Sequence, residues 1–297
     1  MIFSLLLSFV SRQKKVEFSG GKVARKHKSR KDKKMNNKPI GIFDSGMGGL
    51  TVWKEVVKAL PEESVIYYGD GANCPYGGKS QEELINLSEE IVKFFVEKGV
   101  KLIVVACNTA TAGAIAYLRE HYDIPFVGME PAVKPAAQHS KSGIIAILAT
   151  ASTLKGRLFQ ETSERFAGDV TILSSIGEGF VELIESGRED SPEAEEAVRR
   201  TVEPLLEQGA DHLVLGCTHY PFLEGALRKT IGKRNVLLVN PAPAIAGRVK
   251  EVLQDINAGA EKGSIPSYEY HSSGSEMYRK QLQERGERIL NALTSKE

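Results

Sequence analysis

The sequence predicts an α/β fold of two similar lobes, each a mostly parallel sheet flanked by helices, with a pseudo-symmetric cleft between them. Short apolar runs alternate with stretches of helical periodicity from about residue 40 onward in this 297-residue chain. That alternation is the pattern of parallel sheets joined by right-handed crossovers. One passage also occurs twice, at residues 97–109 and 207–219. A single offset of 110 aligns Glu97 with Glu207, Gly99 with Gly209, Val104 with Val214 and Cys107 with Cys217. In each copy a glycine closes a helix-like stretch. A run of apolar residues follows, as in a strand buried on both faces. Each run ends in a small residue, a cysteine and two polar residues. Ligands of open parallel sheets bind beyond the carboxyl ends of the strands. Each lobe therefore offers one thiol where such folds place chemistry.

Apolar residues make up 41% of the chain and charged residues 26%, which supports a packed core in a water-soluble protein. The net charge of +1 hides an asymmetry. Residues 1–34 hold eleven Lys or Arg against Glu17 and Asp32, a local +9, which leaves −8 for the other 263 residues. The mildly acidic remainder argues against nucleic-acid binding. Cys74, Cys107 and Cys217 are too few and too dispersed for a disulfide framework and read as reduced thiols of a cytoplasmic protein. The apolar stretch 2–10 is too short to cross a bilayer, and it lacks the basic start and cleavage site of a signal peptide. Residues 1–38 are expected to be a disordered basic extension upstream of the functional chain, which opens near Met35. Residues 39–132 together with 246–297 are expected to form the first lobe, and residues 133–245 the second.

Residues 40–43 form the first expected strand. Asp44-Ser45-Gly46-Met47-Gly48-Gly49 is the turn after it, and Leu50, Trp53, Val57 and Leu60 then recur at helical spacing. A glycine-rich turn between strand and helix presents N–H groups and a positive dipole end, suited to an anion. The spacing matches neither a P-loop nor a dinucleotide fingerprint. Asp44 suits a helix cap equally well. Residues 65–68 form the second strand and run into a long Gly-rich loop, 69–78, with Tyr76 in it, of the kind that often binds ligands. Ser80-Gln81-Glu82-Glu83 is a capping box. Leu84, Leu87, Ile91, Phe94 and Phe95 mark the buried face of the helix it opens. After the first repeat passage, residues 109–119 form a helix and 125–128 a strand.

The second half opens near Gly143 with a strand at 144–148. Residues 149–153 form its loop, in the position that Asp44-Ser45-Gly46 holds in the first half. A strand at 170–173 and a helix at 180–186 carrying Glu182 and Glu185 follow. Ser191-Pro192 caps a helix running to Gly209, with a kink expected at Pro204. Beyond the second repeat passage come a strand at 236–239, a helix at 245–256, a last strand at 268–271 and a polar terminal helix.

A lone cysteine at a strand end is usually packing, and that reading suffices for Cys74. It fails for Cys107 and Cys217, which share one place in a duplicated frame. Zinc would need three or four ligands, and the first copy offers one. Cys217 with His219 could form a hydrolase pair, but Cys107 would then have no task. A passive binding protein leaves the repeat unexplained. Two thiols on opposite walls suit a pair of acid–base groups, because a free thiol near pKa 8.5 reaches either protonation state. One removes a proton from a carbon acid and the other delivers one to the opposite face, as when substrate and product are mirror images.

Asp44-Ser45-Gly46-Met47-Gly48-Gly49, Gly69-Asp70 with Pro75-Tyr76-Gly77, Cys107-Asn108-Thr109 and Cys217-Thr218-His219-Tyr220-Pro221 resemble the motif set of the cofactor-independent glutamate racemases. The resemblance runs from about Ile40 to near the C-terminus. It implies a cytoplasmic homodimer that interconverts L- and D-glutamate for peptidoglycan synthesis, with no cofactor and no metal. It also implies that Cys107 and Cys217 are the acid–base thiols, assisted by Asp44 and His219, with Glu185 supporting the second. Asp44, Ser45, Tyr76, Gly77, Asn108, Thr109, Thr218 and His219 would hold the amino acid. Asn73, Gly177-Glu178 and Asn240 depart from the residues common in that motif set, which are Arg, Cys-Pro and Asp. Racemases of aspartate or hydantoin, and maleate isomerases, are the rivals within the fold.

Overall fold

The computed structural model describes residues 37–295, apart from 130 and 167. Residues 1–36 of the expected extension lie outside the described residues. Two all-parallel sheets form the frame. The first has strand order β4-β3-β1-β2-β9, built from β1 Ile40–Asp44, β2 Val65–Gly69, β3 Leu102–Val105, β4 Phe126–Gly128 and β9 Tyr268–Ser272. The second has order β6-β5-β7-β8, built from β5 Ile144–Ala149, β6 Thr171–Ile176, β7 His212–Gly216 and β8 Leu237–Val239. Taken from its other edge the second sheet is 8-7-5-6, the order 4-3-1-2 of the first, so the repeated passage belongs to a repeated topology. β9 extends only the first copy.

Every residue of β1, β3 and β7 is buried, because helices cover both faces. On one face of the first sheet lie Leu50, Trp53 and Val57 of α1 (Leu50–Ala59) and Ile245, Val249 and Leu253 of α10 (Ala242–Asp255). The other face packs on Leu84, Ile91 and Phe95 of α2 (Gln81–Glu97) and Ala114 and Leu118 of α3 (Asn108–His121). In the second lobe Phe180 and Ile184 of α7 (Phe180–Glu185), Val198, Val202 and Leu206 of α8 (Pro192–Glu207) and Leu227 of α9 (Glu224–Ile231) share one core. α4 (Val133–His139) supplies Val133 and Ala136 to the opposite face. α11 (Glu276–Thr294) returns to the first lobe through Leu282.

Local signals explain the boundaries. Ser80 and Glu83 form the reciprocal capping box at α2, and Ser191 caps α8 with Pro192 in its first turn. Gly99 (φ +68°) and Gly209 (φ +90°) stand in left-handed geometry at the matching helix ends, where a side chain would be strained.

Two local expectations are corrected. Residues 149–153 are not a loop: Thr150 accepts a hydrogen bond from the Thr153 N–H and caps a short helix, α5 (Ala151–Lys155), followed by α6 (Arg157–Phe166). The strand expected at 170–173 is β6, which continues to Ile176 because it pairs residue for residue with all of β5. α8 runs through Pro204 as one helix, the span expected from the Ser191-Pro192 start.

Candidate active site

In each sheet the chain goes one way from its first strand to its second and the other way to its third. The gap beyond those strand ends is a topological switch point, a favoured ligand site. Ser45 follows β1 and Cys107 follows β3; Thr150 follows β5 and Cys217 follows β7. All four line one narrow cleft together with Tyr76, Gly77, Asn108, Thr109, Thr218 and His219. The two thiols of the repeat thus face one space.

Cys107 occupies the N-cap of α3. Its sulfur accepts the Ala110 N–H at 3.5 Å and its thiol donates to Ser45 Oγ at 3.9 Å. Burial and the nearby Asp44 charge push its pKa far up, so it rests as a thiol. Cys217 Sγ lies 3.8 Å from His219 Nδ1. His219 Nε2 meets Glu185 Oε1 at 2.6 Å, and Glu185 also accepts the Met47 N–H at 2.7 Å and the Tyr278 hydroxyl at 2.7 Å. Burial works against a charged His219. The hydrogen bonds to Cys217, Cys74 and Glu185 outweigh it and raise the imidazole well above its ordinary pKa. Glu185 shows the converse: burial raises it, but His219 and the other donors hold it below the usual carboxylate value. An imidazolium backed by a carboxylate therefore stands beside the second sulfur.

Asp44 and Glu185 stand behind the cleft wall. Asp44 is fully buried, and its carboxylate accepts N–H bonds from Gly46 at 3.3 Å and Gly49 at 2.9 Å and the Thr218 hydroxyl at 3.2 Å. Burial raises its pKa, against the pull of His219 and those N–H groups. Asn108 is different: both polar atoms of its buried amide lack a hydrogen-bond partner among the described residues. An orphaned amide in a cleft wall calls for a polar ligand. Tyr76 lines the cleft with its ring, while its hydroxyl donates to buried Asp70, which Asn73 also holds at 3.0 Å. Asn73 thus braces the loop where Arg is common. Asn240 Oδ1 accepts the Ala242 N–H at 3.0 Å at the start of α10, which an aspartate would do as well.

Sequence reasoning missed four participants. Thr150 lines the cleft and shares a 2.9 Å hydrogen bond with Thr109 across the lobes; its place after β5, matching Ser45 after β1, was the available signal. Ser152 donates to the Gly77 carbonyl at 2.6 Å. Cys74, expected only to pack, lies beside His219 and Glu185. Tyr278 reaches Glu185 from 93 residues away, and nothing local marks it.

Two duplicated parallel sheets with a thiol from each in one cleft define a racemase-type scaffold. The chain belongs to the family described as Asp/Glu/Hydantoin racemase, whose sequence model matches residues 40–249. Within that family it is 48% identical over 240 residues to a glutamate racemase of Herpetosiphon aurantiacus, covering 81% of this chain and 94% of the relative. The crystal structure of a glutamate racemase from Bacillus anthracis aligns with a TM-score of 0.75 at 32% identity, over 84% of this chain and 94% of that one. The Escherichia coli glutamate racemase, solved with L-glutamate and the activator UDP-MurNAc-ala, aligns with a TM-score of 0.75 at 33% identity, over 85% and 95%. No helix among the described residues is long and apolar enough to cross a membrane.

Proposed function

We propose that this protein interconverts L- and D-glutamate by two-base proton transfer at Cα, supplying D-glutamate for peptidoglycan synthesis. The observation that carries the reading is that Cys107 and Cys217, equivalent positions of a duplicated frame, line one cleft. The thiolate of one sulfur takes the Cα proton, and the thiol of the other gives its proton to the opposite face. One turnover exchanges their protonation states and inverts the carbon. Cys107, held as a thiol, is set to donate first, and the His219 imidazolium stabilises a thiolate on Cys217. Asn108, Thr109, Ser45 and Thr218 offer amide, hydroxyl and N–H groups to the carboxylates of the substrate. Asp44 fixes the turn carrying Ser45 and Gly49, so its part in binding is indirect. The enzyme is cytoplasmic and works as a homodimer, which light scattering on the purified chain checks.

The test is incubation with L-glutamate in D₂O. Deuterium enters Cα and D-glutamate accumulates without added cofactor. Absence of both, with a properly folded protein, overturns the reading. Running aspartate and hydantoins in parallel decides the substrate within the family.

A further inference from the structure

We infer that Cys74, Glu185 and His219 form an inhibitory site for zinc(II), the third thiol being its anchor. One ligand atom of each lies within 4.8 Å of those of the other two. Sulfur, imidazole nitrogen and carboxylate oxygen are the donor types that zinc selects over magnesium or calcium. Bonds of about 2.0–2.3 Å in a tetrahedron place such donors roughly 3.3–3.7 Å apart, so an edge at the 4.8 Å limit closes by about 1 Å and the 2.6 Å edge between His219 Nε2 and Glu185 Oε1 opens to admit the ion. The fourth position is left to water.

The three donors come from three elements: the loop after β2, the end of α7 and the segment after β7. Their crowding is built into the turn at Gly46. A Cβ there would fall 2.2 Å from Glu185 Oε1 and 3.0 Å from Cys74 Sγ. His219 is 1% exposed, whereas Cys74 and Glu185 are only partly buried, so an ion enters from their side. Cys74 does not exchange a proton with the substrate in the two-base scheme; there it only hydrogen-bonds His219. Binding displaces one proton from the Cys74 sulfur and one from the liganding imidazole nitrogen; both go to solvent, and no electrons move. The bound ion takes Glu185 and His219 away from Cys217 and ties the first lobe to the second. Metal binding stands independently of the proposed activity; the inhibition rests on it.

The experiment uses the full chain, freed of metal with EDTA and kept reduced. Zinc is titrated into the racemisation assay, and cobalt(II) is titrated separately while its thiolate charge-transfer absorption is recorded. One equivalent of zinc is expected to inhibit, and EDTA to restore turnover. Measured against its own metal-free rate, Cys74→Ser is expected to need at least about tenfold more zinc for half-inhibition and to lose the cobalt–thiolate band. Cys107→Ala, though inactive, should keep that band. Cys74→Ser remaining as zinc-sensitive as the parent would overturn the proposal, as would a band that survives Cys74→Ser and vanishes in Cys107→Ala. Those outcomes would put the ion between the two cleft thiols. A parent that shows neither inhibition nor band overturns it equally. A Cys74-dependent band in a protein that racemises nothing would keep the metal site and remove the racemase reading.

Discussion

Cys107 and Cys217 share an origin and differ in surroundings. Ser45 and the start of α3 attend the first, and an imidazolium attends the second. If each sulfur serves one face of the carbanion, Cys107→Ala and Cys217→Ala should each lower racemisation by about 10²–10⁴-fold. The remaining base can still exchange Cα–H without inversion, so each variant should wash deuterium into one enantiomer only, and the two variants into opposite ones. NMR of each enantiomer in D₂O reads this; one variant with normal turnover would remove the two-base scheme. Glu185 tests the second half separately. Its carboxylate is one of the groups that raise the His219 pKa. Imidazolium is the form that supports a Cys217 thiolate, so activity is present below the folded His219 pKa and lost as pH rises through it. In Glu185→Gln that support is gone and the pKa falls. The alkaline limb of the kcat/KM profile should move to lower pH, equally for L- and D-glutamate, because their equilibrium constant is one.

The glycine-rich turn after β1 works mainly by admitting its neighbours. A Cβ on Gly48 would fall 2.3 Å from His219 Nδ1, and one on Gly49 2.6 Å from Asp44 Cβ. Gly48→Ala should therefore displace the imidazole and cost about 10²-fold in kcat, while the melting temperature moves little. Elements far from the cleft carry stability instead. Lys101 and Glu63, 2% and 4% exposed, form an ion pair at 2.5 Å beside the starts of β3 and β2. Lys101→Met leaves the Glu63 carboxylate buried without that cation and should destabilise the fold by about 3–5 kcal/mol with kinetics unchanged in the surviving folded fraction. Urea unfolding measures it. These elements also mark what a sequence discloses. The buried strands were legible because burial on both faces demands continuous apolar runs, and α2 and α8 because their caps are local chemistry. α5 and α6 were not: their Ser- and Thr-rich start reads as loop, and the helix is set by the Thr150 cap and by Leu154 and Phe159 packing under β5.

At the scale of the molecule, duplication made the cleft legible, since two equivalent strand ends must face each other for one ligand to meet both. Contacts that join the lobes without local signature were not legible, and α11 makes the clearest of them. It belongs to the first core through Leu282, yet Tyr278 donates to Glu185 at the end of α7. Arg285 pairs with Glu189, donates to the Ile184 carbonyl at 3.3 Å and stacks 4.4 Å over the Phe222 ring. A helix of one lobe thus holds the element of the other that positions His219. The two contacts separate by what they should change. Tyr278→Phe keeps the ring between Gly71 and Gly274 and removes one hydrogen bond to Glu185. It should lower kcat by about fivefold, the worth of about 1 kcal/mol, and leave the melting temperature nearly unmoved. Arg285→Ala strands the Glu189 carboxylate and empties the space over Phe222. A loss of about 2 kcal/mol would lower the melting temperature by about 4–8 °C. It should also lower kcat/KM, because the lobes are then less often held at the separation in which both sulfurs reach one carbon. Calorimetry with steady-state kinetics on both variants decides. An Arg285→Ala protein that melts and turns over like the parent would mean that α11 rests on the second lobe without holding it.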